Sequence, residues 1–194
     1  MKRIFFDTET NGLPFRYDVS FLDDPVSWDP CRILQIAWQL YDDEKLVSEN
    51  MHIIRPNGFK INPEAAEIHG ITQERTEKQG ISIETALNNF LNDFEDSQMF
   101  VCHNVNFDMN VVGAEMQRAG IDCNSLLLKN NVCTMIETMY FVNLPGRYGK
   151  PKWPRLQELH NKLFQSYFSD AHDALADVSA TAKCFFELLR KEII

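Results

Sequence analysis

The strongest constraint in this chain is a short apolar strand that ends in two carboxylates. Residues Lys2 to Asp7 read as a buried first strand, and Asp7-Thr8-Glu9 leads into a turn. Alternate side chains on a strand share a face and lie about 6.5–7 Å apart, so Asp7 and Glu9 project together. An unpaired carboxylate at the edge of a core is costly, and neither residue has a Lys or Arg within three positions in sequence.

Two further acids occupy comparable positions. Asp108 falls in the first turn of a helix that follows the short strand at Met99 to His103, where the helix dipole favours an ionised carboxylate. Asp177 borders the apolar face of the last helix, on which Leu175, Val178, Ala182, Phe185 and Leu189 recur at helical spacing. Taken singly, Asp7 also reads as a strand-end turn residue, Asp108 as a helix cap and Asp177 as part of a solvated face. Taken together, the four acids call for a cation, and oxygen-only ligands select Mg²⁺ or Mn²⁺ over zinc. His172 stands five residues before Asp177, at the expected start of the same helix, and is a sensible general base. His52 and His160 read as partly exposed, His69 as packed in its turn, and His103 as structural or substrate-facing.

The remaining pattern is α/β. Two strands flank a turn at Asp42-Asp43-Glu44 as a hairpin. Asn62-Pro63 opens a helix that Gly70 stops, and Ser82 opens another. A helix from Asn106 closes at Gly120, "NVCT" reads as a last strand before "MIETMYFV", and a helix lies near "LQELHNKLF". Strands and helices alternate in the manner of one mixed sheet within a single domain, residues 1–194. The segment from Pro14 to Pro30 is a long loop whose aromatics suggest that it folds back.

Composition excludes several classes. A formal charge of −9 argues against a protein that coats nucleic acid through a broadly basic surface, although metal can reverse the sign of an acidic site. One stretch opposes that background: "GRYGKPKWPR", Gly146 to Arg155, whose basic and aromatic residues suit a loop that follows phosphates and stacks on bases, or a solvated loop with a half-buried Trp. Five scattered cysteines without a C-x-x-C spacing suit a reducing compartment. No apolar run is long enough to span a membrane and no signal peptide is evident, so a cytoplasmic location is expected.

Three ordered motifs resemble a known family. "FDTETNGL", "HNVNFD" (His103 to Asp108) and "HDALAD" (His172 to Asp177) are similar to the three motifs of the DEDDh 3′–5′ exonucleases, with "IHGIT" (Ile68 to Thr72) between the first two. That group includes the proofreading ε subunit of bacterial DNA polymerase III, ribonuclease T and oligoribonuclease. A Tyr four residues before the last Asp would mark the sister DEDDy group, but Asp173 stands there and His172 precedes it. The resemblance implies a ribonuclease H-like fold, a mixed five-stranded sheet flanked by helices. It also implies two divalent ions held by Asp7, Glu9, Asp108 and Asp177, with His172 taking a proton from the attacking water. Thr8, Thr10, Leu13, His103 and Asn104 would contact the terminal nucleotide, Leu13 as a wedge between bases.

The implied reaction releases nucleoside 5′-monophosphates from the 3′ end of single-stranded or frayed nucleic acid, with DNA favoured over RNA by the polymerase ε-like first motif. An RNA-trimming enzyme of the same family and a catalytically silent nucleic-acid-binding module are the alternatives. Asn11 stands where Thr is commoner, and the segment from Pro14 to Pro30 is long for its position. The chain stops soon after the third motif, so a polymerase-bound role is not expected, while a homodimer stays open.

Overall fold

The computed structural model describes every residue from Met1 to Ile194. Strand β1 (Lys2–Thr10) lies in the middle of a five-stranded sheet. The hairpin β2 (Ile33–Asp42) and β3 (Lys45–Ile53) pairs antiparallel on one side of it. Helices α1 (Pro63–His69), α2 (Gln73–Gln79) and α3 (Ile83–Asp96) lead to β4 (Met99–Cys102), which pairs parallel with β1. Helix α4 (Val105–Arg118) and the short α5 (Asn124–Leu128) precede β5 (Asn130–Cys133), parallel to β4. The sheet order β3-β2-β1-β4-β5 is the mixed, helix-flanked arrangement expected from sequence.

After β5 come α6 (Thr134–Glu137), α7 (Met139–Val142), the two-residue strands β6 (Leu144–Pro145) and β7 (Pro151–Lys152), α8 (Leu156–Phe164) and α9 (Ala174–Arg190). Alternation along β1 sends Ile4 and Phe6 to one face and Phe5 to the other. Phe6 meets Phe90 of α3 with ring centroids 5.1 Å apart, within the larger core that α4 completes. Phe5 meets Phe185 of α9 at 5.4 Å, among Ala174, Val178 and Ala182. Asp7 and Glu9 continue the Phe5 face and Thr8 the Phe6 face, so the strand's end stands between α9 and α4.

Several expectations shift. Strand β1 runs past Asp7 to Thr10, because its pairing with β2 continues as far as Ile33. "MIETMYFV" breaks at Thr138, whose hydroxyl donates to Thr134 O at 2.6 Å. His160 is buried rather than partly exposed, its Nδ1 2.7 Å from Ser166 O and its ring against Phe164. All five cysteines are free, and no helix is long and apolar enough to cross a membrane.

The segment from Pro14 to Pro30 folds back with half of its aromatics. Phe21 and Trp28 are fully buried, whereas Phe15 and Tyr17 are exposed. Asn110 of α4 accepts the Phe21 N–H at 2.8 Å, and Arg118 donates to Trp28 O at 2.8 Å. Phe21 sits directly on Gly113, where an added Cβ would lie 2.4 Å from its ring. Gly113→Ala should therefore displace Phe21 and destabilise the protein by roughly 1–3 kcal/mol, as overpacking does. Chemical denaturation checks this, and an unchanged midpoint would show that the ring is not held there.

Candidate functional site

Parallel strands β1 and β4 end at the same edge of the sheet, and the N-termini of α4 and α9 arrive there. Asp108, in the first turn of α4, is 2% exposed. Its Oδ1 accepts the Thr8 N–H at 3.1 Å and the Thr8 hydroxyl at 2.8 Å. Helix α9 begins at Ala174 with Asp173 as its cap, so His172 lies in the preceding turn rather than on the helix. There His172 adopts a left-handed φ of 71°, and its N–H donates to Asp177 Oδ2 at 3.1 Å. Glu9, His172 and Asp177 each present a ligand atom, all within 4.8 Å of one another.

Gln35, which sequence reasoning missed, fixes the start of α9. It stands opposite Glu9 in the β1–β2 register and is 1% exposed. Its Oε1 accepts the Ala174 N–H at 3.1 Å, and its Nε2 donates to Asp173 Oδ2 at 3.2 Å. Asp173 Oδ1 in turn caps the N–H groups of Leu175 and Ala176. Helix α9, and with it Asp177 and the His172 turn, is thereby tied to the strand beside Glu9. A polar residue within the apolar run of β2 was the only sequence signal for this.

Electrostatics sets these acids apart. Burial, then the charges of Asp108, Asp177 and Glu9, push Asp7 well above the carboxylate range. Burial, then Asp177 and Asp108, raise Glu9 to about 8. Asp177 rises to about 6 by burial, which outweighs the His172 N–H and the His172 charge. The α4 dipole was expected to keep Asp108 ionised, but burial outweighs its bonds from Thr8 and raises it to about 7. No Lys or Arg bears on any of the four. Asp173 is spent on its cap and on Gln35, which leaves Asp7, Glu9, Asp108 and Asp177 as uncompensated oxygen donors. Such a set fits a hard divalent cation.

The residues expected to touch substrate divide into two groups. Thr8 and Thr10 are buried with their hydroxyls engaged, the latter on Gly12 O at 2.8 Å. His103 is held through both ring nitrogens, by Thr134 Oγ1 at 2.9 Å and Pro154 O at 3.0 Å. Burial pushes its pKa down to about 4, so the ring is neutral. Leu13, by contrast, is 65% exposed, and Asn104 has a left-handed φ of 86° with no capping bond from its side chain. Asn11 anchors the first motif, donating to Lys60 O at 3.1 Å and accepting the Asn62 N–H at 2.7 Å. Within "IHGIT", His69 Nδ1 accepts the Ile71 N–H at 3.0 Å, leaving its buried Nε2 unpartnered.

Residues 4–185 match the protein-family model RNase_T, Exonuclease. No curated protein sequence matches significantly. Among solved structures, the chain is similar to the zinc-bound form of the E. coli Exonuclease I–ssDNA complex, at 22% identity and TM-score 0.76, over 98% of this chain and 40% of that one. It is similar to E. coli Exonuclease I in complex with a dT13 oligonucleotide, at 22% identity and TM-score 0.74, over 97% of this chain and 41% of that one. A moderately thermophilic Exonuclease I from Methylocaldum szegediense aligns at 21% identity and TM-score 0.76, over 98% of this chain and 40% of that one. The fold is thus shared, and this chain spans about two fifths of those proteins' length.

The raised carboxylates set the sign of a pH effect. Their native pKa values exceed the unfolded ones, so the native state binds more protons, and stability falls as pH rises from about 4 to about 8. In EDTA, this cluster should lower the melting temperature as pH is raised through that window. Saturating Mg²⁺ or Mn²⁺ should restore stability, by about 2–3 kcal/mol at ~100 times Kd, and more at pH ~8 than at pH ~5.5. Asp7→Asn should raise metal-free stability at the higher pH and abolish most of the metal gain. A metal gain that is absent, or equal in wild type and Asp7→Asn, contradicts the cation fit.

Proposed function

Because the chain belongs to the RNase_T exonuclease family, we propose that it is a metal-dependent 3′–5′ exonuclease of the DEDDh type. It releases nucleoside 5′-monophosphates from single-stranded or frayed DNA. One observation carries this reading: Asp7, Glu9, Asp108 and Asp177 meet at one end of the sheet with no Lys or Arg beside them, and His172 presents a ring nitrogen within 4.8 Å of carboxylate oxygens of Glu9 and Asp177. Preference for DNA is supported by the Exonuclease I structures of the same fold, which hold dT13 and dA16 oligonucleotides.

The four acids would hold two divalent ions, Mg²⁺ or Mn²⁺. Such ions supply charge neutralisation at the scissile phosphate and activation of the attacking water. The chain supplies the rest. His172 is exposed at the mouth of the site, where its imidazole takes the proton of the water that adds to the terminal phosphorus. The hydrogen bond from its N–H to Asp177 holds base and carboxylate in one turn. As the bond from phosphorus to the 3′ oxygen breaks, that oxygen takes a proton from solvent, so the shortened strand keeps a 3′ hydroxyl and the 5′-monophosphate departs. Thr8 keeps Asp108 oriented with two hydrogen bonds to one oxygen, leaving the other free. Leu13, the exposed last residue of the first motif, would separate the terminal base from its neighbour.

Matched 3′-labelled DNA and RNA oligonucleotides, single-stranded and duplex, test the proposal in Mg²⁺ or Mn²⁺. Single-stranded DNA should be shortened from its 3′ end to mononucleotides, and EDTA or Asp7→Ala should stop the reaction. His172→Ala should lower kcat by roughly 10²–10⁴-fold, as loss of a general base does. Faster degradation of RNA than of DNA would overturn the DNA assignment. Cleavage that persists in EDTA or in Asp7→Ala would overturn the metal mechanism.

A further inference from the structure

The acids and His172 leave the basic stretch from Gly146 to Arg155 without a role. It is a built hairpin rather than a loose loop. Leu144 pairs with Lys152 and Pro145 with Pro151. Gly146 is required where the strands close, since a Cβ there would lie 2.4 Å from Lys150 O and 2.6 Å from Lys152 N. Glu158 of α8 braces the base of the hairpin, taking Lys152 Nζ at 2.7 Å and the Arg155 N–H at 2.7 Å. Pro154 O meets His103 Nε2 at 3.0 Å. That bond fastens the hairpin to the C-terminal end of β4, five residues before Asp108.

What this hairpin displays has no internal use. Tyr148 is 99% exposed, at the tip, in a left-handed conformation with φ 55° that bulky residues rarely adopt. Trp153 is 59% exposed, whereas Trp28 and Trp38, the other two tryptophans, are fully buried. Lys152 is the one hairpin cation in an ion pair, so Arg147 and Lys150 extend without a carboxylate partner. The chain as a whole is acidic, with a net charge of −9, and its surface away from the hairpin would repel a polyanion. Two exposed aromatic faces interleaved with unpaired cations match the requirements of a single strand. Bases stack on the rings and phosphates meet the charges, without regard to sequence.

We propose that the hairpin from Gly146 to Arg155 is a single-strand grip, in which Tyr148 and Trp153 stack on bases upstream of the terminal nucleotide and Arg147 and Lys150 follow the phosphates. The assignment rests on the exonuclease reading and deepens it, because it names where the substrate strand is held outside the acid cluster. The seat at His103 places the grip beside the site. Stacking and phosphate contact read neither base identity nor the sugar, so the grip serves DNA and RNA strands alike.

Binding measured in EDTA tests this without turnover, using the full chain and oligodeoxythymidylate or oligouridylate about 15 nucleotides long. Either strand should quench the emission of Trp153 and leave that of the two buried indoles. Trp153→Ala should weaken binding about tenfold, read by anisotropy of a labelled strand, while Trp153→Phe should retain most of the affinity. Replacing Arg147 and Lys150 together by Ala should flatten the slope of log affinity against log salt by about 1.4, or ~0.7 per charge. Binding without quenching, or variants that keep wild-type affinity and salt slope, would overturn the grip. A wild type that binds through the hairpin and cleaves nothing would instead overturn the exonuclease reading, so the two failures are distinguishable.

Discussion

Four carboxylates forced together at the end of β1 set the terms for everything around them. Two like charges at strand spacing repel by roughly 2–3 kcal/mol at an effective dielectric near 20, and several such pairs exist here. The arrangement survives because the chain on either side of it is held far more strongly. Phe5 and Phe6 are buried on opposite faces of the same strand, each contributing about 1.5–3 kcal/mol of transfer free energy. Strand β1 is also hydrogen-bonded on both edges, to β2 and to β4. The acids therefore cannot relax apart without unpacking the sheet, and partial protonation is their remaining relief until a cation arrives.

Geometry at the site follows from face alternation. Asp7 and Glu9 share the α9 side of β1, while Thr8 turns to the α4 side and holds Asp108. The two helices belong to different core layers and meet only at the strand's end. Their registration relative to the sheet is set by short polar contacts rather than by apolar packing: Thr8 to Asp108 for α4, and Gln35 to Ala174 and Asp173 for α9. Packing can slide by fractions of an ångström, whereas a buried hydrogen bond left unmade costs the full desolvation of its groups. Polar pins of this kind suit a site whose donors must converge on one point.

Local chemistry made much of this legible in the sequence. Asn62-Pro63, Gly70 and Ser82 mark helix ends because caps depend on only a few neighbouring residues, and they stand where expected. The motif acids and His172 were legible through their order and spacing, and the structure brings them to one edge of the sheet. Elements that depend on distant partners were not legible. Helix α2 has no apolar stripe; it buries only Thr76 and starts on the Thr72 cap, so no periodicity announces it. The continuation of β1 to Thr10 is decided by β2, whose nearest partner, Ile33, is 23 residues away in sequence and ~5 Å away in space. Gln35 looks like an interruption of an apolar strand until Asp173 is placed beside it. The raised pKa of Asp108 likewise belongs to burial, which outweighs the dipole effect that its helix position predicts.

The distribution of charge separates two demands that a polyanionic substrate makes. Hydrolysis of a phosphodiester needs dense negative ligand charge at the reacting end, because only that holds hard cations tightly. Holding the strand needs the opposite sign, and it cannot be supplied at the same place without neutralising the acids directly. A lysine beside Asp7 would compensate its charge and remove the reason for a divalent ion to bind. Two unpaired cations, Arg147 and Lys150, stand instead on a hairpin whose Pro154 O meets the neutral imidazole of His103. That link transmits position without transmitting charge. Under the proposed grip, the acid cluster stays free of Lys and Arg while a separate basic and aromatic surface holds the same strand.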